Sequence, residues 1–217
     1  MKGLMIKDLK TIMSNNKFFL MVVIAIVFIY AFMDDPSFVM GYITVLCSML
    51  VLGTLSYDEF DNGYAFLLTL PITRKLYVKS KYIFSIVYTL VVWLIACCVL
   101  GLVARIRGNV FDISFPVGVI ASCYIFISLM IPVQLKFGSE KSRIAIAVIV
   151  GGLVVIGVAA VAILSNVGIY TEDIELFVDN MSNATTAMIV TSILLVTAAI
   201  LFISYNISAK IMVNKEL

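Results

Sequence analysis

Residues 82–104 read Tyr-Ile-Phe-Ser-Ile-Val-Tyr-Thr-Leu-Val-Val-Trp-Leu-Ile-Ala-Cys-Cys-Val-Leu-Gly-Leu-Val-Ala, with Lys81 before them and Arg105 after. No acid, base or histidine interrupts the run. A helix needs about 20 such residues to cross a hydrocarbon core about 30 Å thick. The stretch therefore reads as a membrane span. Five more share its signature: Phe18 to Met33, Ser37 to Tyr57, Pro116 to Leu135, Ile144 to Leu164, and Ala187 to Ile207. The first is short and borrows a turn from its flanks. It exceeds a signal-peptide core and no small-x-small cleavage site precedes Asp34, so it reads as retained. The runs are continuous rather than alternating, which argues against a transmembrane β-barrel.

Composition agrees. Of 217 residues, 63% are hydrophobic and 13% charged, with a mean hydropathy of +1.14. A soluble domain carries about 25% charge, and one this small cannot bury so much apolar surface. Disorder, collagen and a disulfide scaffold are excluded as well. The longest segment between spans, Asp58 to Lys81, is too short for a soluble catalytic domain. Cys47, Cys97, Cys98 and Cys123 all lie inside spans and read as buried free thiols, with no disulfide framework and no zinc site.

The membrane core also lacks chemistry. None of the six spans holds an ionisable acid or base, and the chain has no histidine. That removes the usual groups of ion-coupled transport, metalloprotease motifs and Ser-His or Cys-His catalysis. The polar groups of the spans are Tyr42, Thr44, Ser48, Tyr88, Thr89, Ser122, Tyr124, Ser128, Gln134, Thr191 and Thr197. Two readings fit them: bonding to helix carbonyls and neighbouring helices, or a weakly polar translocation surface. Gly138 to Ser142 is the nearest approach to a phosphate-binding loop, and it lacks the Gly-x4-Gly-Lys spacing. Any driving energy must come from another subunit.

Orientation follows from the basic residues. Of the 15, only Arg105 and Arg107 fall in outer segments when the N-terminus is inside. The outer segments also hold Asp34, Asp35, Asp112, Glu172, Asp173, Glu175 and Asp179. Both termini are expected on the cytoplasmic side.

Two inner segments are informative. In residues 1–16, Met5, Ile6, Leu9, Ile12 and Met13 share one helical face, while Lys7, Asp8, Lys10, Thr11, Ser14 and Asn15 fill the opposite arc. This predicts an amphipathic interfacial helix, either a simple anchor or an elbow that also touches a cytoplasmic partner. In residues 58–81, Phe60, Tyr64, Leu67 and Leu68 fall on one helical face, with Asp58, Glu59 and Asp61 near its start, where the helix dipole favours acids. Pro71 ends that helix. Thr73 can cap a new one that runs into the span beginning at Tyr82, with Arg74, Lys75, Lys79 and Lys81 as a basic stem. An exposed Phe/Tyr/Leu face needs a cover, either lipid or a docked protein.

The run from Tyr57 to Tyr82, with its Glu…Gly…Leu-Pro-Ile-Thr-Arg…Tyr-Val…Lys pattern, resembles the loop between spans two and three of bacterial permeases of the type-2 ATP-binding-cassette (ABC) exporter superfamily. Six spans, an N-terminal amphipathic helix and no ATPase domain agree with that likeness along the whole chain. The resemblance implies an all-α polytopic membrane protein with six transmembrane helices, N-in/C-in, and a cytoplasmic coupling helix between spans two and three. The chain is then one permease domain, 1–217, in the bacterial cytoplasmic membrane. It implies that Glu59, Gly63, Leu70, Pro71, Thr73, Arg74, Tyr77 and Lys81 belong to a segment docking on a separate ABC ATPase, together with Asp58, Asp61, Tyr64 and Lys75 around them. It implies a dimer with a second copy or a sister permease. No cofactor is expected in this chain, because ATP and Mg would sit on the partner, and no nucleic acid is expected as a partner.

The remaining features are plainer. Arg105 and Arg107 either snorkel to headgroups or receive an acidic substrate group. Residues 165–186 form an extracellular loop, either solvated or an acidic exit vestibule, with Thr171 and the acids after it resembling a helix start. Pro132 is expected to kink its span. Gly151, Gly152, Gly157, Ala159 and Ala160 would permit close helix packing, in the bundle or at a subunit seam. The uncharged spans favour a hydrophobic or amphipathic cargo, such as a small peptide, toxin or lipid-like drug, moved outward by an exporter. A membrane sensor or immunity subunit that binds peptides without moving them is the alternative, and an embedded enzyme ranks last.

Overall fold

The computed structural model describes residues 2–13, 36–60, 63–64, 69, 72–107, 114–166 and 183–214. Among these the regular elements are all helices: α1 (Lys2–Met13), α2 (Pro36–Glu59), α3 (Arg74–Arg107), α4 (Ser114–Asn166) and α5 (Asn183–Asn214). The apolar stretch from Phe18 to Met33, the residues Asp61, Leu70 and Pro71, and most of the 165–186 loop lie outside the described residues.

Four described stretches are long and apolar enough to cross a membrane: Met40–Glu59, Arg74–Ile106, Phe115–Gly138 and Thr185–Asn214. Each contains one expected span or nearly all of it. The stretch from Ile144 to Leu164 lies in the part of α4 beyond Gly138 and is helical.

The boundaries follow from local chemistry. Thr73 caps α3: its Oγ1 accepts the Leu76 N–H at 3.3 Å and its carbonyl accepts the Tyr77 N–H at 3.0 Å. In α4, helical dihedrals are lost at Gly138 (φ 81°, ψ 171°) and not at Pro132, which sits within the helical run. The bend expected at the proline is thus made six residues further on, where glycine alone tolerates the backbone.

α3 organises the bundle and touches each of the other four described helices. Its 34 residues make it about 50 Å long at 1.5 Å per residue, well beyond a bilayer core. Its buried stripe mixes polar or small residues, Ser80, Lys81, Ser85, Thr89, Ala96 and Ala104, with the larger Tyr77, Val78, Tyr82, Phe84 and Leu100. Its exposed side carries Val87, Leu90, Val91, Leu94, Ile95, Val99, Leu102 and Ile106. This is the pattern of a helix whose solvent is lipid. Every small or hydroxylic residue of that stripe faces neighbouring helices, where van der Waals contact replaces the hydrophobic effect, and the outward side is aliphatic over most of its length.

The main core lies toward the Asp58 end. Leu52, Leu55, Tyr64, Tyr77, Val78, Tyr82, Ile127, Ile131, Leu135 and Met212 pack together there. A smaller cluster of Met40, Ala96 and Leu100 sits near the other end. Most hydroxyls of the spans bond to carbonyls of their own helix, as with Thr44 to Met40, Ser48 to Val45, Ser122 to Val119, Ser128 to Ile125 and Thr197 to Leu194. Gln134 and Tyr124 are among the span residues that reach other helices instead. Gln134 donates to the Leu52 carbonyl at 3.3 Å and to Ser56 Oγ at 2.8 Å. Tyr124 donates to the Ile86 carbonyl at 3.3 Å.

Candidate functional site

A buried charge cluster joins α1, α2 and α3 where the 58–81 segment begins and ends. Lys81 Nζ lies 2.7 Å from Asp8 Oδ1 and 2.7 Å from Asp58 Oδ2, and donates to Thr54 Oγ1 at 3.2 Å. These three contacts match the three protons of an ammonium group. Asp58 Oδ2 also accepts the Tyr77 hydroxyl at 2.8 Å, while its Oδ1 takes Lys7. Lys7 in turn lies 3.4 Å from Asp8 Oδ1. Two cations and two anions balance. Exposure is 2% for the Lys81 side chain, 1% for Asp8 and 5% for Asp58, against 36% for Lys7. Asp8 Oδ2 has no hydrogen-bond partner among the described residues.

Burying isolated charges costs several kcal/mol apiece, so a cluster of this kind survives only when each charge meets its opposite with good geometry. The chain meets that condition by bringing Asp8, Asp58 and Lys81 together from three separate helices. α1 is therefore oriented by electrostatics as well as by its apolar face. Leu4 and Asp8 point inward, and Ile6, Leu9 and Met13 are exposed. Asp8, expected on a solvated arc, is among the most buried residues of the chain, because its partner Lys81 lies inside the bundle.

The expected docking residues separate into different environments. Tyr64 is buried and packs edge-on to Tyr77, with centroids 5.8 Å apart. Burial pushes its phenol well above the usual range, and the Glu59 charge adds to that shift. Phe60, expected on the same face, is 74% exposed. The shared aromatic face is thus divided, one ring inside the core and one outside. A Cβ at Gly63 would lie 2.5 Å from the Asp58 carbonyl oxygen, so only glycine fits without a backbone shift. Glu59 packs against the break in α4, where a Cβ at Gly138 would lie 2.5 Å from Glu59 Oε1.

Arg74 reaches across to α5 and donates to the carbonyls of Val213 at 2.8 Å and Met212 at 3.4 Å. It covers the negative end of that helix, where a cation is favoured. Lys75 is exposed. Thr73 serves as the helix cap, while Tyr77 and Lys81 belong to the charge cluster. Asp61, Leu70 and Pro71 lie outside the described residues. Lys7, Asp8, Thr54 and Gly138 complete the arrangement, and the sequence does not single them out as site residues. The only signal for Asp8 is an acid among the lysines on the polar arc of the helix expected at the membrane surface.

Other features are negative or structural. The four cysteines are free, and Cys98 is exposed rather than buried. No group of three or more metal-ligating side chains occurs among the described residues. Among the described residues, a Cβ at Gly151 or Gly152 would meet nothing within 4 Å.

Long apolar helices facing outward, with polar contacts turned inward, define a multi-pass membrane protein. Residues 3–213 match the family model described as ABC-2 family transporter protein, and the chain belongs to that family. It is accordingly a membrane component of a transport system, of a kind that generally works with an ABC ATPase. Among curated proteins and solved structures, nothing matches the chain.

Proposed function

We propose that this chain is the six-span, N-in/C-in permease half of an ATP-driven exporter, acting as a dimer with a second copy or a sister permease. The remaining spans in this reading are Phe18 to Met33 and Ile144 to Leu164. A separate ABC ATPase, holding ATP and Mg, docks on the 58–81 segment. The cargo is hydrophobic or amphipathic, such as a small peptide, toxin or drug-like molecule, and the membrane is the bacterial cytoplasmic one. α1 is the interfacial elbow and the start of the 58–81 segment is the coupling helix.

One observation supports this reading above the rest. Both ends of the 58–81 segment are fastened by the same buried cluster, with Asp58 at one end and Tyr77 and Lys81 at the other. A force applied to the segment cannot be absorbed by local slack there. It passes into α3, which runs from the cluster to the far end of the bundle, and through Arg74 into the end of α5. Phe60, exposed at the edge of the cluster, is the best-placed side chain to enter a groove on a partner.

The test uses the permease co-expressed with its ABC ATPase. Phe60→Asp should abolish co-purification of the ATPase while leaving the melting temperature of the permease unchanged. ATP-dependent uptake of a labelled amphipathic peptide should occur in inside-out vesicles carrying both subunits. Retention of the ATPase at wild-type stoichiometry by the variant would overturn the docking assignment. Absence of ATP-dependent uptake across a panel of amphipathic peptides would overturn the peptide assignment.

A further inference from the structure

A cleft opens between the end of the first arm of α4 and the last two turns of α5. It encloses about 520 Å³ and is lined by Leu135, Lys136, Ile207, Lys210, Ile211 and Asn214. The four α5 residues stand at i, i+3, i+4 and i+7, so they form one face of that helix. Leu135, Ile207 and Ile211 supply the apolar part of the wall. Lys136 and Lys210 are exposed, and neither takes part in a salt bridge among the described residues.

These lysines differ from the other cations at this end of the bundle. Lys7 and Lys81 are neutralised by Asp8 and Asp58. Arg74 is turned toward the carbonyls of Met212 and Val213. Arg74 takes up two of the last carbonyls of α5, which reduces the negative charge that this terminus would set against an anion in the cleft. Among the described residues no acidic side chain lines the cleft. Its place at the end of two candidate spans puts it where hydrocarbon gives way to headgroups. A basic pocket between transmembrane helices at that level suits an anionic headgroup.

We propose that this cleft is a binding site for one anionic phospholipid. Its phosphate lies between Lys136 and Lys210, Asn214 donates to a headgroup oxygen, and the acyl chains descend along Ile207 and its neighbours. The site clamps the end of α4, just before the Gly138 break, to the end of α5. This rests on the reading of the chain as a membrane-embedded bundle, and not on the ATPase or the cargo.

The test therefore uses the purified permease alone, in dodecyl maltoside micelles doped with phosphatidylglycerol or phosphatidylcholine. Native mass spectrometry counts retained lipid and thermal unfolding reads the stabilisation. The wild type should retain phosphatidylglycerol and unfold at higher temperature with it, but not with phosphatidylcholine. The double variant Lys136→Gln, Lys210→Gln should bind it about thirtyfold more weakly, on the order expected for two lysines near a charged surface. Lys136→Arg with Lys210→Arg should preserve binding, and Lys75→Gln with Lys79→Gln, at the same end of the bundle, should leave it unchanged. Equal loss in the Lys75/Lys79 control would show diffuse attraction and overturn the site. Full stabilisation by inorganic phosphate in phosphatidylcholine micelles would assign the cleft to a free anion instead, and overturn the lipid.

Discussion

The first turns of α3 and the rest of that helix are held by different forces. At the start, Arg74 caps α5, Tyr77 donates to Asp58, and Lys81 is buried between Asp8 and Asp58. At the next residue, the Tyr82 hydroxyl lies 2.6 Å from Ser204 Oγ and 2.8 Å from Ser208 Oγ. Further along, the contacts among the described residues are neutral. Trp93 donates its indole N–H to the Pro116 carbonyl at 2.8 Å, and Met40, Ala96 and Leu100 pack together. The outer face there is bare aliphatic surface. Contacts at the first end are directional and fix register, whereas those at the other end tolerate small slips.

The largest way to break this contrast is at Lys81. Lys81→Met leaves Asp8 and Asp58 buried with one fewer cation, and loss of one partner of a buried pair costs about 3–5 kcal/mol. The variant should show a sharply lowered unfolding midpoint in detergent, or fail to accumulate. Adding Asp8→Leu restores charge balance, with Lys7 and Asp58 still paired, so the double variant should recover a substantial part of the loss. If the double variant were no more stable than Lys81→Met alone, Asp8 and Lys81 would not be coupled.

Gly138→Ala should come next. It places a Cβ against the Glu59 carboxylate at a residue with φ of 81°, and strain of this type costs about 1–3 kcal/mol. Glu59→Ala would remove the clash but not the backbone strain, so it should rescue Gly138→Ala only in part. Urea or thermal unfolding of the three variants reads the split.

Tyr82→Phe tests the neutral step beside the cluster. It removes the hydroxyl shared with Ser204 and Ser208, and net hydrogen-bond contributions are about 0.5–1.5 kcal/mol. Its effect should fall well below that of Lys81→Met. At the bottom of the scale, Ile95→Ala lies on the outward face of the far half and should leave the unfolding midpoint unchanged. An effect of Ile95→Ala comparable to that of Tyr82→Phe would mean that this face is covered by protein rather than lipid.

Much of the architecture is legible in the chain of residues itself. The uncharged stretches 37–57, 82–104, 116–135 and 187–207 all fall within helices, because a long apolar run in lipid has no alternative but to satisfy its own backbone. The cap at Thr73 is legible too, since capping depends on residues a turn apart. The bend in α4 is not. Pro132 is the stronger local signal, yet the glycine carries the positive φ. The 58–81 segment stands out as a whole, but the helical face expected in it divides on folding. Phe60 and Tyr64 share a face in periodicity, and only packing against Tyr77 shows that one of them is core.

What the sequence determined alone is the solvent of the chain: lipid along most of its length, with charge confined to the ends of spans. That outcome depends on composition and on runs of residues, which are local properties. What the tertiary structure decided is which charges meet. Asp8 and Lys81 are 73 residues apart, and helical periodicity places each on a face without saying what lies opposite. Pairing across such a distance depends on how the helices cross. So the residues that fasten the base of α3 became visible only once α1, α2 and α3 were brought together.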